Sequence, residues 1–311
     1  MLFNGYSAAA RQPASMMIRI LSLLTLLCLA TASPAQRVTS LPIATPWLGL
    51  PQVPVTLNGS VRAQFIVDTA ASETLLTDRI IAELGLNGQG EPAELSGATG
   101  RSSILFYRLR SLRLGTRQYR RLGAYSFPRL AAPVEADGLI GADVLRRHVV
   151  EFDMPGQRLR LFDHRTDFTR SNNRWAIVPF HERPDGLLII PVSIGRVTMP
   201  ALLDTGAVQN IVNHEAARQL GLTLFPDSDS REPITGVSGH VQDMNQLEIS
   251  RFRIGDFNFG ASRVGITDLA VFDTLEISDG PAMLLSADAL TDRRFIVDYP
   301  RNRLLIERNP D

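Results

Sequence analysis

The chain has 311 residues, 44% of them hydrophobic and 21% charged, a mixture that fits one large domain or two of ordinary size and excludes disorder on the scale of the whole chain. Its 32 basic and 32 acidic residues cancel, so no global field draws it toward nucleic acid or an anionic membrane surface. Every basic residue is arginine, a bias with no functional account in the sequence.

From the N-terminus, Met16-Met17-Ile18-Arg19 precedes an apolar run from Ile20 to Ala30 and then Ser33-Pro34-Ala35. A basic start, a short apolar core and small residues at a cleavage point are the layout of a secretory signal. The run is shorter than the roughly 20 residues that span a bilayer. Residues 1–35 are therefore expected to be removed after Ala35, with Met16 or Met17 as the true start and residues 1–15 as an upstream extension. The expected product is periplasmic or secreted, with no stable membrane insertion. The single cysteine, Cys28, falls in this segment, so the mature chain would lack disulfides, cysteine nucleophiles and thiolate metal sites.

Next come two apolar, β-rich runs separated by Asn58-Gly59-Ser60, a strong hairpin signal that also accounts for the glycosylation sequon there. The second run, Val61 to Val67, ends in Asp68-Thr69-Ala70-Ala71. Thr77-Asp78 followed by Ile80, Ile81 and Leu84 predicts an N-capped amphipathic helix closed by Gly85. Then follow a glycine-rich turn, Gly97-Ala98-Thr99-Gly100, and a basic stretch containing Arg108, Arg110, Arg113, Arg117, Arg120 and Arg121. In a neutral chain that stretch reads as the solvated face of an edge strand rather than a nucleic-acid site.

From here the chain repeats itself. Val197 to Leu203 ends in Asp204-Thr205-Gly206-Ala207, 136 residues after the first such turn, and Asn213, Ala216, Ala217, Leu220 and Gly221 restate the helix. Gly236-Val237-Ser238-Gly239 answers the glycine-rich turn, Phe252-Arg253-Ile254-Gly255 answers Leu112-Arg113-Leu114-Gly115, and Val297-Asp298-Tyr299-Pro300 answers Phe152-Asp153-Met154-Pro155, with the offset drifting to 145. A slow drift marks loop insertions in a duplicated domain. The period-two, β-branched patterning predicts a mainly β fold with short helices. The expected organisation is a first domain at 38–165, a linker at 166–174 and a second domain at 175–309.

Asp-Thr-Gly alone is weak, because an aspartate after a strand is commonly a turn or helix cap. Here each aspartate follows an apolar strand, precedes Thr and small residues, and recurs in the second copy. With the hairpin, the turn, the short helix, the glycine-rich segment and the closing Gly138-Leu139-Ile140-Gly141-Ala142-Asp143-Val144-Leu145, the chain resembles the aspartic peptidases, as two fused retroviral-type (retropepsin-like) copies covering nearly all the mature sequence. The resemblance implies acid protease domains related by a pseudo-twofold with a cleft between them. Asp68 and Asp204 would form one catalytic pair, supported by the turn residues Thr69, Ala70, Thr205 and Gly206, with Thr69 and Thr205 hydrogen-bonded across the axis.

Metal-free peptide hydrolysis needs one group to take a proton from water and another to protonate the substrate, and two close carboxylates sharing one proton supply both. Ala71 and Ala207 stand where a Ser or Thr could donate to the carboxylates, so activity is expected from mildly acidic toward neutral pH. The segments Gly97, Ala98, Thr99, Gly100 and Gly236, Val237, Ser238, Gly239 resemble flaps that close on an extended substrate, and one in each copy favours the retroviral-like plan over a single-flap plan.

The expected activity is that of an aspartic endopeptidase acting on peptide or unfolded protein, without metal or cofactor, as a monomeric pseudo-dimer. Two departures mark the pattern: Ala70 replaces the first turn's glycine, adding a methyl where the backbone is tight, and Ser286 stands where Gly141 stands in the first copy. The alternatives are a catalytically silent peptide-binding protein of the same fold, and pairing of each copy with its counterpart in a second chain. The five histidines show no metal-ligand spacing, and no nucleophile elbow or phosphate loop is present. Asp153 and Asp298, beside proline in a strand-turn, read as structural.

Overall fold

Alternating burial of Val53, Val55 and Leu57 and of Ala63, Phe65 and Val67 turns one face of the first hairpin inward. The structure, a computed structural model, describes residues 38–45, 49–127, 136–170, 174–222, 231–236 and 240–308. The expected signal segment 1–35 with Cys28, and residues 171–173 of the expected linker, lie outside the described residues. Gln52–Leu57 pairs antiparallel with Val61–Val67, and Asn58 and Gly59 take positive φ (48° and 88°) in the connection. Leu188–Ile194 and Val197–Asp204 repeat the hairpin around Gly195, at φ 57°.

Each copy then builds the same three-strand crossing. Val61–Val67 runs parallel to Gly138–Ile140, which lies antiparallel to Leu75–Leu76. Val197–Asp204 runs parallel to Met283–Ser286, which lies antiparallel to Asn210–Val212. Both faces of each aspartate-bearing strand are packed, Phe65, Val67, Ala201 and Leu203 in the main core and Ile66 and Leu202 each in a smaller apolar cluster, so the residues before each aspartate are consecutively buried.

A six-stranded sheet joins the copies. Thr39–Pro42, Arg158–Phe162 and Val149–Asp153 come from the first, and Arg294–Asp298, Arg303–Glu307 and Trp175–Pro179 from the second. The halves meet where Val149–Asp153 pairs with Arg294–Asp298, and there Phe152 stacks on Phe295 with centroids 4.6 Å apart and planes 6° from parallel. Arg294 crosses the joint to Glu151 (3.1 Å) and Asp153 (3.0 Å), which places Asp153 in a structural network. Asp298 does the same within its copy, accepting from Arg303 (2.8 Å) and Arg301 (3.1 Å). The described part of the linker is packed too: Phe168 meets Phe162 and Trp175 edge-on, and Asp167 accepts from Arg303 at 2.6 Å.

The short helices are α1 (Asp78–Glu83), α2 (Ala142–Leu145), α3 (His214–Gln219) and α4 (Ala270–Thr274). Two local expectations are corrected. Thr77 does not cap α1 through its side chain, because its hydroxyl donates instead to the Asp137 carbonyl (3.0 Å). Its counterpart Asn213 does cap α3, accepting from Ala216 N–H at 2.9 Å. The strand bearing Arg108, Arg110 and Arg113, Gly100–Leu114, is not an edge strand, since it pairs with Gln89–Gly97 and Gln52–Leu57 and also with Arg117–Ser126. Those three arginines are exposed. One-sided alternation is shared by edge and interior strands of a sheet with one wet face, so the pattern could not separate them.

Candidate active site

Both aspartates sit where a buried strand ends at the axis between the copies. Asp68 N–H donates to the Ile140 carbonyl (3.0 Å), and Asp204 lies opposite Ser286 in the matching parallel pair. In each turn the N–H two residues on donates to the carboxylate: Ala70 to Asp68 Oδ1 and Gly206 to Asp204 Oδ1, both at 2.8 Å.

The turns hold each other through four buried hydrogen bonds. Thr69 N–H donates to Thr205 Oγ1 and Thr205 N–H to Thr69 Oγ1, each at 3.1 Å. The Thr69 hydroxyl donates to the Leu203 carbonyl (2.7 Å) and the Thr205 hydroxyl to the Val67 carbonyl (2.6 Å). Every donor and acceptor in this ring is used, and both threonines are fully buried.

The ring sets the two carboxyls together. Burial pushes Asp68 up to about 6, and burial together with the charge of Asp68 pushes Asp204 well above the usual carboxylate range. The titration belongs to the pair and not to either aspartate alone.

The glycine of this turn has a steric rather than a conformational role. Neither Gly206 nor Ala70 takes a positive φ. A Cβ on Gly206 would stand 2.5 Å from Asp68 Cγ, because the partner carboxylate lies against that backbone. Ala70 keeps the 2.8 Å bond to Asp68, and its methyl packs with the second copy's apolar cluster.

The second departure is also accommodated. A Cβ on Gly141 would meet the carbonyls of Ala71 (2.6 Å) and Glu73 (2.7 Å), which forbids a side chain in the first copy. In the second, Ser286 is fully buried, and its N–H (3.0 Å) and hydroxyl (3.3 Å) donate to Asn210 Oδ1. Asn210 stands at the repeat position of Thr74, which in the first copy donates to both oxygens of Asp143 at 3.0 Å. Burial raises Asp143 to about 7. Neither pair carries a sequence motif, although the 136-residue offset links Thr74 to Asn210.

The structure gives each glycine-rich segment a hairpin, Gln89–Gly97 with Gly100–Leu114 and Arg231–Thr235 with Val241–Ile249. Val237, Ser238 and Gly239 lie outside the described residues. Gly97, Ala98, Thr99 and Gly100 form the first tip, which reaches the second hairpin. Thr99 Oγ1 donates to the His240 carbonyl (2.8 Å) and accepts from Gly236 N–H (3.1 Å), and Gly100 lies close under the His240 imidazole. Among the described residues no group of His, Asp or Glu side chains is arranged to hold a metal ion.

A family model described as Aspartyl protease matches the chain twice, over residues 53–144 and 190–289, together more than half of it. A solved structure described as "Crystal structure of a retropepsin-like aspartic protease from Rickettsia conorii" is similar over 42% of this chain and 93% of that one, at 19% identity and a TM-score of 0.31. A comparison with curated proteins finds no match. With one family match per copy, and an aspartate turn inside each, the chain belongs to the aspartyl protease family as two fused domains.

Proposed function

We propose that the protein is an aspartic endopeptidase in which Asp68 and Asp204 of one chain act as a single dyad. The observation that carries this reading is the reciprocal Thr69–Thr205 ring, which ties the two aspartate-bearing turns to each other. In the singly protonated pair, Asp68 takes a proton from a water molecule while Asp204 gives its proton to the scissile carbonyl oxygen. The water oxygen adds to the carbonyl carbon, and the tetrahedral intermediate collapses as Asp68 gives its proton to the leaving nitrogen and Asp204 takes one from a hydroxyl of the intermediate, which breaks the C–N bond and restores the pair. The undisturbed Ala70–Asp68 bond favours this reading over a silent peptide-binding one.

The substrate class is extended peptide or unfolded protein, and the working form a monomer. We place it in the periplasm or outside the cell after removal of residues 1–35, on the signal-like sequence alone. The test is digestion of a denatured protein by the purified mature chain, with and without a statine-type inhibitor. Inhibitor-sensitive cleavage is expected, and stable substrate would contradict the proposal.

A further inference from the structure

Two apolar walls flank the aspartate turns, equivalent by the repeat but different in what covers them. In the first, buried Ile66, Leu75 and Leu139 gather with Ala71. In the second, their repeat partners Leu202, Ile211 and Leu284 gather with Ala207. Around the first wall, among the described residues, Leu50, Leu95, Tyr125 and Phe127 remain half-exposed.

The second wall carries more cover, although Ile189, Ile234 and Ile277 at its edge stay half-buried. Leu187, at the place of Leu50, is buried, and Val271 and Phe272 of α4 and the following Leu275 are buried in the same cluster. The first flap adds to it from the other copy: Ala98 packs against this second wall, and its carbonyl accepts from Val271 N–H at 3.4 Å. The bonds of Thr99 to His240 and Gly236 hold the tip in that place.

Resting on the proposal that this cleft holds the scissile peptide, we infer that the enzyme reads its substrate in one direction. A bulky apolar or aromatic side chain seats against the first wall, where it covers Leu50, Leu95, Tyr125 and Phe127. The residue against the second wall is small, because a large one would have to displace Ala98 or overpack the cluster around Phe272. The device is α4, which turns a pseudo-symmetric cleft into a directional one.

The test uses two peptides carrying a reduced CH2–NH bond in place of the scissile amide, one with Phe before and Ala after it and one with the order reversed. Binding to the wild type and to Asp204→Asn is measured by calorimetry, so that the answer does not depend on hydrolysis. One order is expected to bind at least about tenfold more tightly than the other in both proteins. Phe272→Ala and the milder Val271→Ala, which keeps the helix if the first fails to fold, are expected to narrow that difference by admitting the larger residue at the second wall. Leu95→Trp is expected to weaken only the preferred peptide. Equal affinities, no binding of either peptide, or a difference untouched by these substitutions would overturn the inference. Directional binding with no cleavage of any amide peptide would overturn the hydrolytic function and leave the directional cleft standing.

Discussion

Asp68 lies against the backbone of Gly206, so closely that a Cβ at position 206 would stand 2.5 Å from the Asp68 Cγ. Each carboxylate is thus shaped by the opposite copy as well as by its own turn. Gly206→Ala is expected to displace Asp68 and lower kcat at least about a hundredfold, the scale on which a misplacement near 1 Å acts. Ala70→Gly is expected to leave kcat near the wild type and, by admitting water beside the pair, to move the alkaline limb of the pH profile downward. Equal losses from the two substitutions would contradict this asymmetry.

The pH profile itself follows from the direction of the shifts. Below about pH 6 Asp68 is protonated and the pair lacks a base. Once Asp204, raised well above the usual range, also ionises, the pair lacks an acid. A bell with its acid limb near pH 6 is expected in kcat/KM. An optimum confined to strongly acidic solution would contradict the burial of the pair.

Thr69 and Thr205 form one closed ring, so their substitutions should not add. Thr205→Val leaves the Val67 carbonyl and Thr69 N–H without partners, and each orphaned buried group costs about 1–3 kcal/mol. Thr69→Val breaks the other half of the ring, leaving the Leu203 carbonyl and Thr205 N–H without partners. The double variant is expected to fall short of the sum by more than about 1 kcal/mol in a denaturant double-mutant cycle. Additive losses would show that the two turns are held independently.

Away from the cleft, buried His148 shares a hydrogen bond between its Nε2 and the Tyr119 hydroxyl (2.5 Å), and burial lowers its pKa to about 4. Between pH 6.5 and 4 the unfolded chain binds a proton there that the folded chain does not, so stability falls as the pH drops through that window. The paired substitution Tyr119→Phe with His148→Leu is expected to flatten that part of the Tm-versus-pH curve. An unchanged slope would assign the acid sensitivity elsewhere.

Phe152 and Phe295 stack across the joint of the six-stranded sheet, and a single apolar core cluster contains residues of both copies. Phe295→Ala is expected to cost about 3–5 kcal/mol, with both copies still unfolding in one transition. Two resolved transitions would mean that the copies are stable separately.

The duplication was legible in the sequence because Asp-Thr recurs after an apolar strand at a fixed offset, and that same offset marks Thr69 with Thr205. The difference between Gly206 and Ala70 was not, because the demand at Gly206 comes from the opposite carboxylate and not from local φ, while the Ala70 methyl finds an apolar cluster. The interior position of the strand bearing Arg108 was hidden for a similar reason: neighbours in a sheet are chosen by the whole chain. α4 left a trace, since the offset grows by five residues between Gly255 and Leu284, but an insertion does not announce which wall it will cover.

The single-dyad account is tested most directly by the initial rate of the monomeric Asp204→Asn variant on a denatured protein, beside the wild type at the wild-type optimum. Loss of the proton-sharing partner is expected to lower kcat by about a thousandfold while the variant stays folded and monomeric. A rate within about tenfold of the wild type would mean that Asp68 works without Asp204, and would contradict the account.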